Sequence, residues 1–461
     1  MTSVPYPDRN RRRGGRWSRQ GLVEDLVHLA AIERAAAHVI CGWLPKIPGL
    51  DDKIALAVTL ETGMARAVAL SQYALKLRER DETALLCCAS WIEPLRVLDG
   101  SCEYHPVVDG ICNDLNLFLL NKYRALLEQL DEFYDARAIL AVRAGIEQLS
   151  SRTPDTKPGT SAFASALEEA WQDDSVPSLA LYELLWKPLD RVPLPARPAL
   201  RPRPEAGALA LLRSISRLEA EDLSAELNDN VMAELSAMEL IARCSYEHPD
   251  LAWSVHMSLA MHVADEARHA AIFRRLLVQN GFDESTLPQH GANYEYAYQF
   301  PECDPGSKRE LIWRILIMCT VLEGLAIDKL PVEIATRDWL GQHEFARALD
   351  YIATDELFHT ENGLRLSRKL CRQHSYDPML ERERVHGRFF GRQRNVRERY
   401  LAADPVRAAR EIEILEGPDP DGVPFVSRTQ VELRKRASFT DEECAQVDRW
   451  GYHPDSNLES A

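Results

Sequence analysis

Two short motifs hold the residues best suited to chemistry: Asp265-Glu266-Ala267-Arg268-His269 and Asp355-Glu356-Leu357-Phe358-His359. Each reads D-E-x-x-H. On an α-helix, residues three apart share a face, so Glu266 with His269, and Glu356 with His359, can grip one metal ion. Each motif has a glutamate one helix upstream: Glu234 lies 32 residues before Glu266, and Glu323 lies 33 before Glu356. Two Glu…Glu-x-x-His half-sites supply four carboxylates and two imidazoles. This is the ligand pattern of a dimetal carboxylate centre inside a four-helix bundle.

Neutral imidazole with carboxylates suits Fe(II) or Mn(II), and the lack of nearby thiolates argues against structural zinc or an iron–sulfur centre. Two iron ions (Fe2+/Fe3+) are the expected cofactor, with manganese as the alternative, because an iron pair can deliver electrons to one O2. A ligating histidine needs its other ring N–H bonded to a carboxylate. Asp265 and Asp355, each just before a motif glutamate, are expected to reach the histidine of the opposite half.

Two residues stay open as extra ligands. Glu239 follows Glu234 by five residues, as Asp328 follows Glu323. Five residues is about 140° around a helix, so Glu234 and Glu239 do not both point at one centre. His262 is four residues before Glu266, on the same face, and reads either as a seventh ligand or as a core histidine supporting the site. A single E-x-x-H is commonly a solvated helix face. Here the motif recurs with matched partners among apolar neighbours (Leu259, Ala260, Val263 and Ala270; Leu349, Ile352 and Ala353). Buried charges in that setting need pairing or a metal.

The elements that must position these residues read as helices throughout. Apolar spacing predicts helices over 21–45 and 51–80, then 82–98, 112–128, 131–150 and 161–171, with no period-2 strand pattern. Residues 151–160 read as a loop. Six prolines between 188 and 204 mark an extended linker at 186–206. Four long segments follow: 207–246 with a break near Asp229-Asn230, 250–279 stopped by Gly281, 307–330 stopped by Pro331, and 341–373. A short loop, a long crossover at 281–306 and another short loop give the order of a ferritin-like bundle. The expected domains are a basic arm (1–20), an N-terminal helical domain (21–185), the linker, the dimetal bundle (207–373) and a C-terminal extension (374–461). In that extension 381–399 reads as helix and 417–422 as a turn cluster.

A net charge of −16 disfavours nucleic acid as a partner of the main body. The arginines of the arm (Arg9, Arg11, Arg12, Arg13, Arg16 and Arg19) read as a solvated tail. No signal segment or uninterrupted apolar span is legible, and the ten cysteines contain no C-x-x-C. The expectation is a cytoplasmic protein with reduced thiols, no membrane partner and a homodimer as one arrangement.

Residues 195–370 resemble the ferritin-like diiron superfamily, and in particular a bacterial ferritin-like family akin to the MiaE-type hydroxylases. Besides the two motifs, the resemblance rests on Glu234-Leu-x-x-x-Glu239-Leu240, Leu287-Pro288-x-His290, Glu323-x-x-x-x-Asp328 and Gly363. It implies a diiron site at Glu234, Glu266, His269, Glu323, Glu356 and His359. His262 with Glu266-Ala267-Arg268-His269 is also similar to a signature of diiron N-oxygenases, which place their extra histidine in the other half-site. Met64-Ala65-Arg66-Ala67, with Glu33 upstream, is similar to the first motif with its ligands replaced. The N-terminal domain therefore reads either as a degenerate ferritin-like bundle or as an unrelated helical domain. The expected activity is an O2-dependent diiron oxygenase or oxidase that hydroxylates or N-oxygenates a small organic substrate with an external electron donor. The alternatives are ferroxidase or rubrerythrin-like iron or peroxide handling, and a non-enzymatic helical scaffold.

Overall fold

The structure is a computed structural model of the 461-residue chain. It describes residues 19–77, 85–132, 135–152, 161–173, 175, 177–188, 220–283, 289, 291, 293–403, 405–406 and 429–451. The expectations for the arm up to residue 18, the loop at 153–160, the linker from 189, the bundle start at 207–219, Leu287, Pro288, His290 and the turn cluster at 417–422 lie outside the described residues.

The fold is all-α. Among the described residues the only strands are Leu86–Cys87 and Leu179–Ala180, an antiparallel pair. The first corrects the helix expected over 82–98. There the helix begins only at Glu93, where Pro94 sits in the first turn that suits its missing N–H. Two compact units are present: Met1–Ala196 with Ser245–Ala264, and Arg197–Cys244 with Asp265–Ala461.

The first unit is built around α1 (Arg19–Trp43), which packs along α2 (Leu50–Leu77). Pro45 and Pro48 lie in the short connection between them. Nearly every residue of α1 from 21 onward is buried, so it is a central helix rather than a half-exposed one. Its polar side chains therefore need internal partners. His28 stacks between Trp91 and Trp171, at 4.0 and 4.3 Å. Glu33 accepts from Arg66 of α2 at 2.5 and 2.9 Å and from the Tyr123 hydroxyl at 3.1 Å. A guanidinium thus neutralises the glutamate that the sequence aligns with an upstream metal ligand. α2 is long and apolar enough by composition to cross a membrane, and 56% of that apolar window is buried within the protein. The unit continues with α3 (Glu93–Asp99), α4 (105–127, with a π-helical stretch Gly110–Leu115), α5 (Ala136–Ser150) and α6 (Ala162–Trp171).

The second unit carries most of α7 (Ala220–Glu247) and α8 (Trp253–Gln279), both of which the division between units cuts. α7 runs unbroken through Asp229 and Asn230, against the expected break. Gly281 ends the α8 segment at φ +80°, a conformation only glycine takes without strain. After the crossover, α9 runs over 308–339, with a π-helical stretch Leu316–Leu322 immediately before Glu323. Ser307 and Glu310 form a capping box: Ser307 Oγ accepts from Glu310 N at 3.2 Å, and Glu310 Oε2 accepts from Gly306 N at 2.6 Å. α9 continues through Pro331 to Trp339, which corrects the expected stop. Proline removes one N–H and crowds the preceding turn, and packing on both sides carries the helix past that loss.

α10 (His343–Gln373) packs along α9, and α11 (Pro378–Ala403) follows. α12 (Val431–Arg436) and α13 (Asp441–Gly451) close over them, so the C-terminal extension wraps this unit. Ala437, Phe439, Cys444 and Val447 join Ile327 and Leu364 in one apolar cluster. Arg434 makes the polar link: it meets both oxygens of Asp328 at 2.7–3.1 Å and the Gly324 carbonyl at 2.7 Å, and both side chains are fully buried.

Gly363 marks a close approach of α10 to α9, because a Cβ there would overlap the Cβ of Cys319 in the π-helical stretch. The expected effect of Gly363→Val is a loss of about 1–3 kcal/mol of unfolding free energy, read by denaturant titration. Gly363→Ala should fall between wild type and valine.

Candidate metal centre

Four helices each contribute to one buried cluster. Glu234 projects from α7, Glu266 and His269 from α8, Glu323 from α9, and Glu356 and His359 from α10. Placement follows from helix periodicity: each motif glutamate and histidine stack one turn apart on the inward face. The π-helical stretch before Glu323 rotates that face of α9 in a way a regular helix would not, a common device beside functional residues.

The ligand atoms form two overlapping groups. One is Glu234, Glu266, His269 and Glu356; the other joins Glu266, Glu323 and His359. In each, one ligand atom from every residue lies within 4.8 Å of the others. Glu266 and Glu356 hold the groups together. Glu266 presents Oε2 to His269 Nδ1 at 3.8 Å and Oε1 to His359 Nδ1 at 3.2 Å. Glu356 presents Oε1 to His269 Nδ1 at 3.4 Å and Oε2 to His359 Nδ1 at 3.5 Å. Each of these glutamates therefore spans both histidines, one oxygen apiece. Glu234 stands on the His269 side, 3.9 Å from its Nδ1, and Glu323 groups with His359. The imidazole ring centroids are 6.0 Å apart.

The other nitrogen of each histidine turns away from the glutamates. His269 Nε2 lies 3.0 Å from Asp355 Oδ2, and His359 Nε2 lies 3.2 Å from Asp265 Oδ2. Each aspartate thus meets the histidine of the opposite motif. Arg268 ties the two pairs together, with Nη2 at 2.8 Å from Asp265 Oδ1 and 2.8 Å from Asp355 Oδ2. Burial opposes the charge on both aspartates, but the bonds from histidine and Arg268 outweigh it and hold both carboxyls below their usual range.

The glutamates are under strain of another kind. Burial, then the charge of Glu266, pushes Glu234 well above the ordinary carboxylate pKa. Burial works against a charged His269, but the bond to Asp355 and the nearby carboxylates of Glu234, Glu266 and Glu356 raise its pKa well above that of a free imidazole. Burial also opposes the charge on Glu356, and the proximity of Glu323 and both histidines reverses that and lowers its pKa. Most of the Nδ1–carboxylate separations, at 3.4–3.9 Å, exceed a good hydrogen bond. They suit a cation seated between the atoms. Two divalent ions would balance the four carboxylates with both imidazoles neutral. The residues present fit a dimetal carboxylate centre, and these buried Glu/His clusters could hold metal.

His262 is on α8 one turn before Glu266, in the part of that helix that belongs to the first unit. Glu239 is fully buried on α7 and belongs to neither group. Its sequence counterpart Asp328 is taken by Arg434, 106 residues away. No local spacing announces that partner.

Sequence reasoning also missed a cavity of about 110 Å³ that opens beside Glu234, Glu323 and Glu356. Its walls are mainly apolar, with Phe273, Leu322, Leu349 and Ile352, but Asn230, Asn293, Lys329 and Glu333 line it too. Lys329 and Glu333 fit i, i+4 pairing on a predicted helix, but that helix was expected to stop at Pro331. Asn293 sits in the crossover, which carries no periodicity.

Two outcomes follow for the metal. Asp355→Asn and Asp265→Asn should each weaken binding by about 10–100-fold, because each leaves its histidine without an orienting carboxylate. Metal affinity should also rise with pH. Glu234 and His269 carry raised pKa values in the metal-free protein, and ligands must be deprotonated to bind, so metal competes with protons there. Competition with a chelator at acidic and alkaline pH measures both effects.

No curated protein and no solved structure matches the chain. A family model does match, over residues 153–400, more than half of the sequence. The matched span contains α7 to α10 and hence all six clustered glutamates and histidines, while α1, α2 and the closing pair α12 and α13 lie outside it. On that match the chain belongs to the family described as protein of unknown function, DUF455.

Proposed function

We propose that this protein is a non-haem diiron oxygenase or oxidase acting on a small organic molecule, with α7 to α10 forming a ferritin-like bundle. The observation that carries the reading is the pair of glutamates, Glu266 and Glu356, that each face both histidine Nδ1 atoms. A lone metal has no use for two shared carboxylates. Carboxylate and imidazole ligands suit iron, with manganese as the alternative. Two irons bound there would pass electrons to dioxygen and supply the oxidising power for the substrate.

The chain's own residues set the conditions. Asp265 and Asp355 fix the histidine tautomers, so Nε2 keeps its proton and Nδ1 is the ligating atom. Arg268 keeps both aspartates ionised by sharing one guanidinium nitrogen between them. Burial of Glu266, His269, Glu356 and His359 excludes bulk water from the inner face. The cavity beside Glu234, Glu323 and Glu356 provides room for a substrate, and iron storage requires no such room. The protein carries no C-x-x-C segment of the kind a self-contained rubrerythrin uses, so the reductant is expected to be external.

Anaerobic loading with Fe(II) followed by metal analysis should give two ions per chain. Admission of O2 should then consume oxygen in proportion to an added reductant, without mineral growth. Glu266→Ala should reduce bound iron below one per chain, because it removes a ligand from both positions. Failure to bind metal under anaerobic Fe(II) would sink the proposal. Continued iron uptake with mineral formation would assign the site to ferroxidase chemistry instead.

A further inference from the structure

Among the described residues, Arg34, Arg243, Arg314, Arg337, Arg382 and Arg434 are each exposed by 1% or less. Five of them have an acceptor. Arg314 meets Glu310, Arg337 meets Glu226, Arg382 meets Glu443, Arg434 meets Asp328, and Arg243 donates to the Tyr298 carbonyl. Arg34, on α1, is the exception: among the described residues no acceptor lies within hydrogen-bond reach of its Nε, Nη1 or Nη2. His38 is one turn further along α1, on the same face. Its ring is tilted against Tyr246 at 4.5 Å and meets Trp186 edge-on at 5.0 Å. Asp99 is engaged by those two side chains, its Oδ2 accepting from the Tyr246 hydroxyl and from Trp186 Nε1 at 2.9 Å each. Next to Tyr246 in the chain, Ser245 Oγ lies 2.7 Å from His256 Nδ1. All of these neighbours of Arg34 belong to the first unit.

The guanidinium acts on both imidazoles. Burial first, then the charge of Arg34, holds His38 and His256 well below the usual histidine range. Backbone carbonyls of Trp186 at His38, and of Pro249 and Leu251 at His256, oppose this without reversing it. Both rings are therefore neutral, and the excess charge is the single one of Arg34. Burial draws the Arg34 pKa down to about 9, against a smaller opposite effect of Cys41 two turns away, so the group is still a cation at neutral pH. An unpaired cation in a dry core is strongly unfavourable, and an acceptor with a negative charge removes the cost. The planar guanidinium offers parallel N–H donors that match the two oxygens of a carboxylate. One positive charge calls for a monovalent partner, and full burial calls for a small one. We propose that Arg34, with His38 beside it, is an internal anion site of the first unit that holds one small carboxylate of formate or acetate size. Arg34 is out of reach from the surface, so the anion is enclosed as the helices close or admitted by local opening. The site is independent of the metal cluster and of the oxygenase reading.

Thermal unfolding of the full chain tests this. The protein is dialysed into sodium gluconate, whose carboxylate is on too large a body to enter, and titrated with formate, acetate or sulfate at constant ionic strength and neutral pH. The wild-type midpoint should rise with formate and acetate, by about 3–6 °C at roughly ten times the Kd, and stay level with sulfate. Arg34→Met should melt in gluconate at or above the wild-type temperature, because an apolar side chain replaces an unpaired charge, and should respond equally to all the salts. Arg34→Gln serves as the second neutral variant if the methionine chain folds poorly. A carboxylate held too tightly to exchange is found by another route: wild-type protein equilibrated with acetate, dialysed and denatured should release about one acetate per chain by ion chromatography. Equal responses to formate and acetate in the wild type and a folded neutral variant would overturn the proposal. So would a wild-type chain that shows no preference over sulfate and releases no carboxylate, whatever the variants do.

Discussion

Four carboxylates buried among helices repel one another and have lost most of their hydration, and the second unit is arranged around that cost. Charge of this density is not stable in a helical core without cations. The protein's own cations are placed elsewhere. Arg268 serves the aspartates, Arg434 serves Asp328, and Lys329 serves Glu333. Between Glu234, Glu266, Glu323 and Glu356 is a space that could hold metal ions. The contrast with the first unit is direct. There Glu33, buried on the central helix, is satisfied internally by Arg66 and Tyr123. One unit resolves a buried glutamate with a side chain; the other assembles several and leaves the positive charge to be supplied.

Support for the cluster is layered. The histidines face inward through Nδ1 and outward through Nε2, so the same ring joins the glutamates to the aspartates. Crossing of the two Asp–His pairs means that α8 and α10 hold each other's ligands in register. A shift of either helix misplaces a histidine on the other. The π-helical stretch on α9 and the glycine contact beneath it set the third helix at the height this arrangement needs.

The motif pairs were legible because helical ligation has a period, and that period survives without any tertiary information. Glu266 with His269 and Glu356 with His359 could be placed on shared faces from spacing alone, as could the direction in which Asp265 and Asp355 point. Helix type was equally readable for long periodic segments such as α8 and α10. Features that depend on distant partners were not. Pro331 reads as a helix stop, and only the packing of α9 overrides it. Asp328 reads as a spare acid, and only Arg434 explains it. Asp229-Asn230 reads as a break, although α7 continues and Asn230 lines the cavity. The near-complete burial of α1 was hidden because its polar residues mimic a solvated face, while their partners come from α2, α4 and the aromatic residues around His28.

The Arg434–Asp328 contact also has a consequence in time. A chain is made from its N-terminus, so Asp328 is synthesised 106 residues before the arginine that neutralises it. At about 5–20 residues per second, the ribosome takes roughly 5–20 s to cover that distance. During that interval the helix bearing Glu323 exists with a carboxylate that has no place in a dry interior. The second unit therefore cannot reach its final packing as its helices emerge one by one. Its interior closes late, when the segment bearing Arg434 arrives.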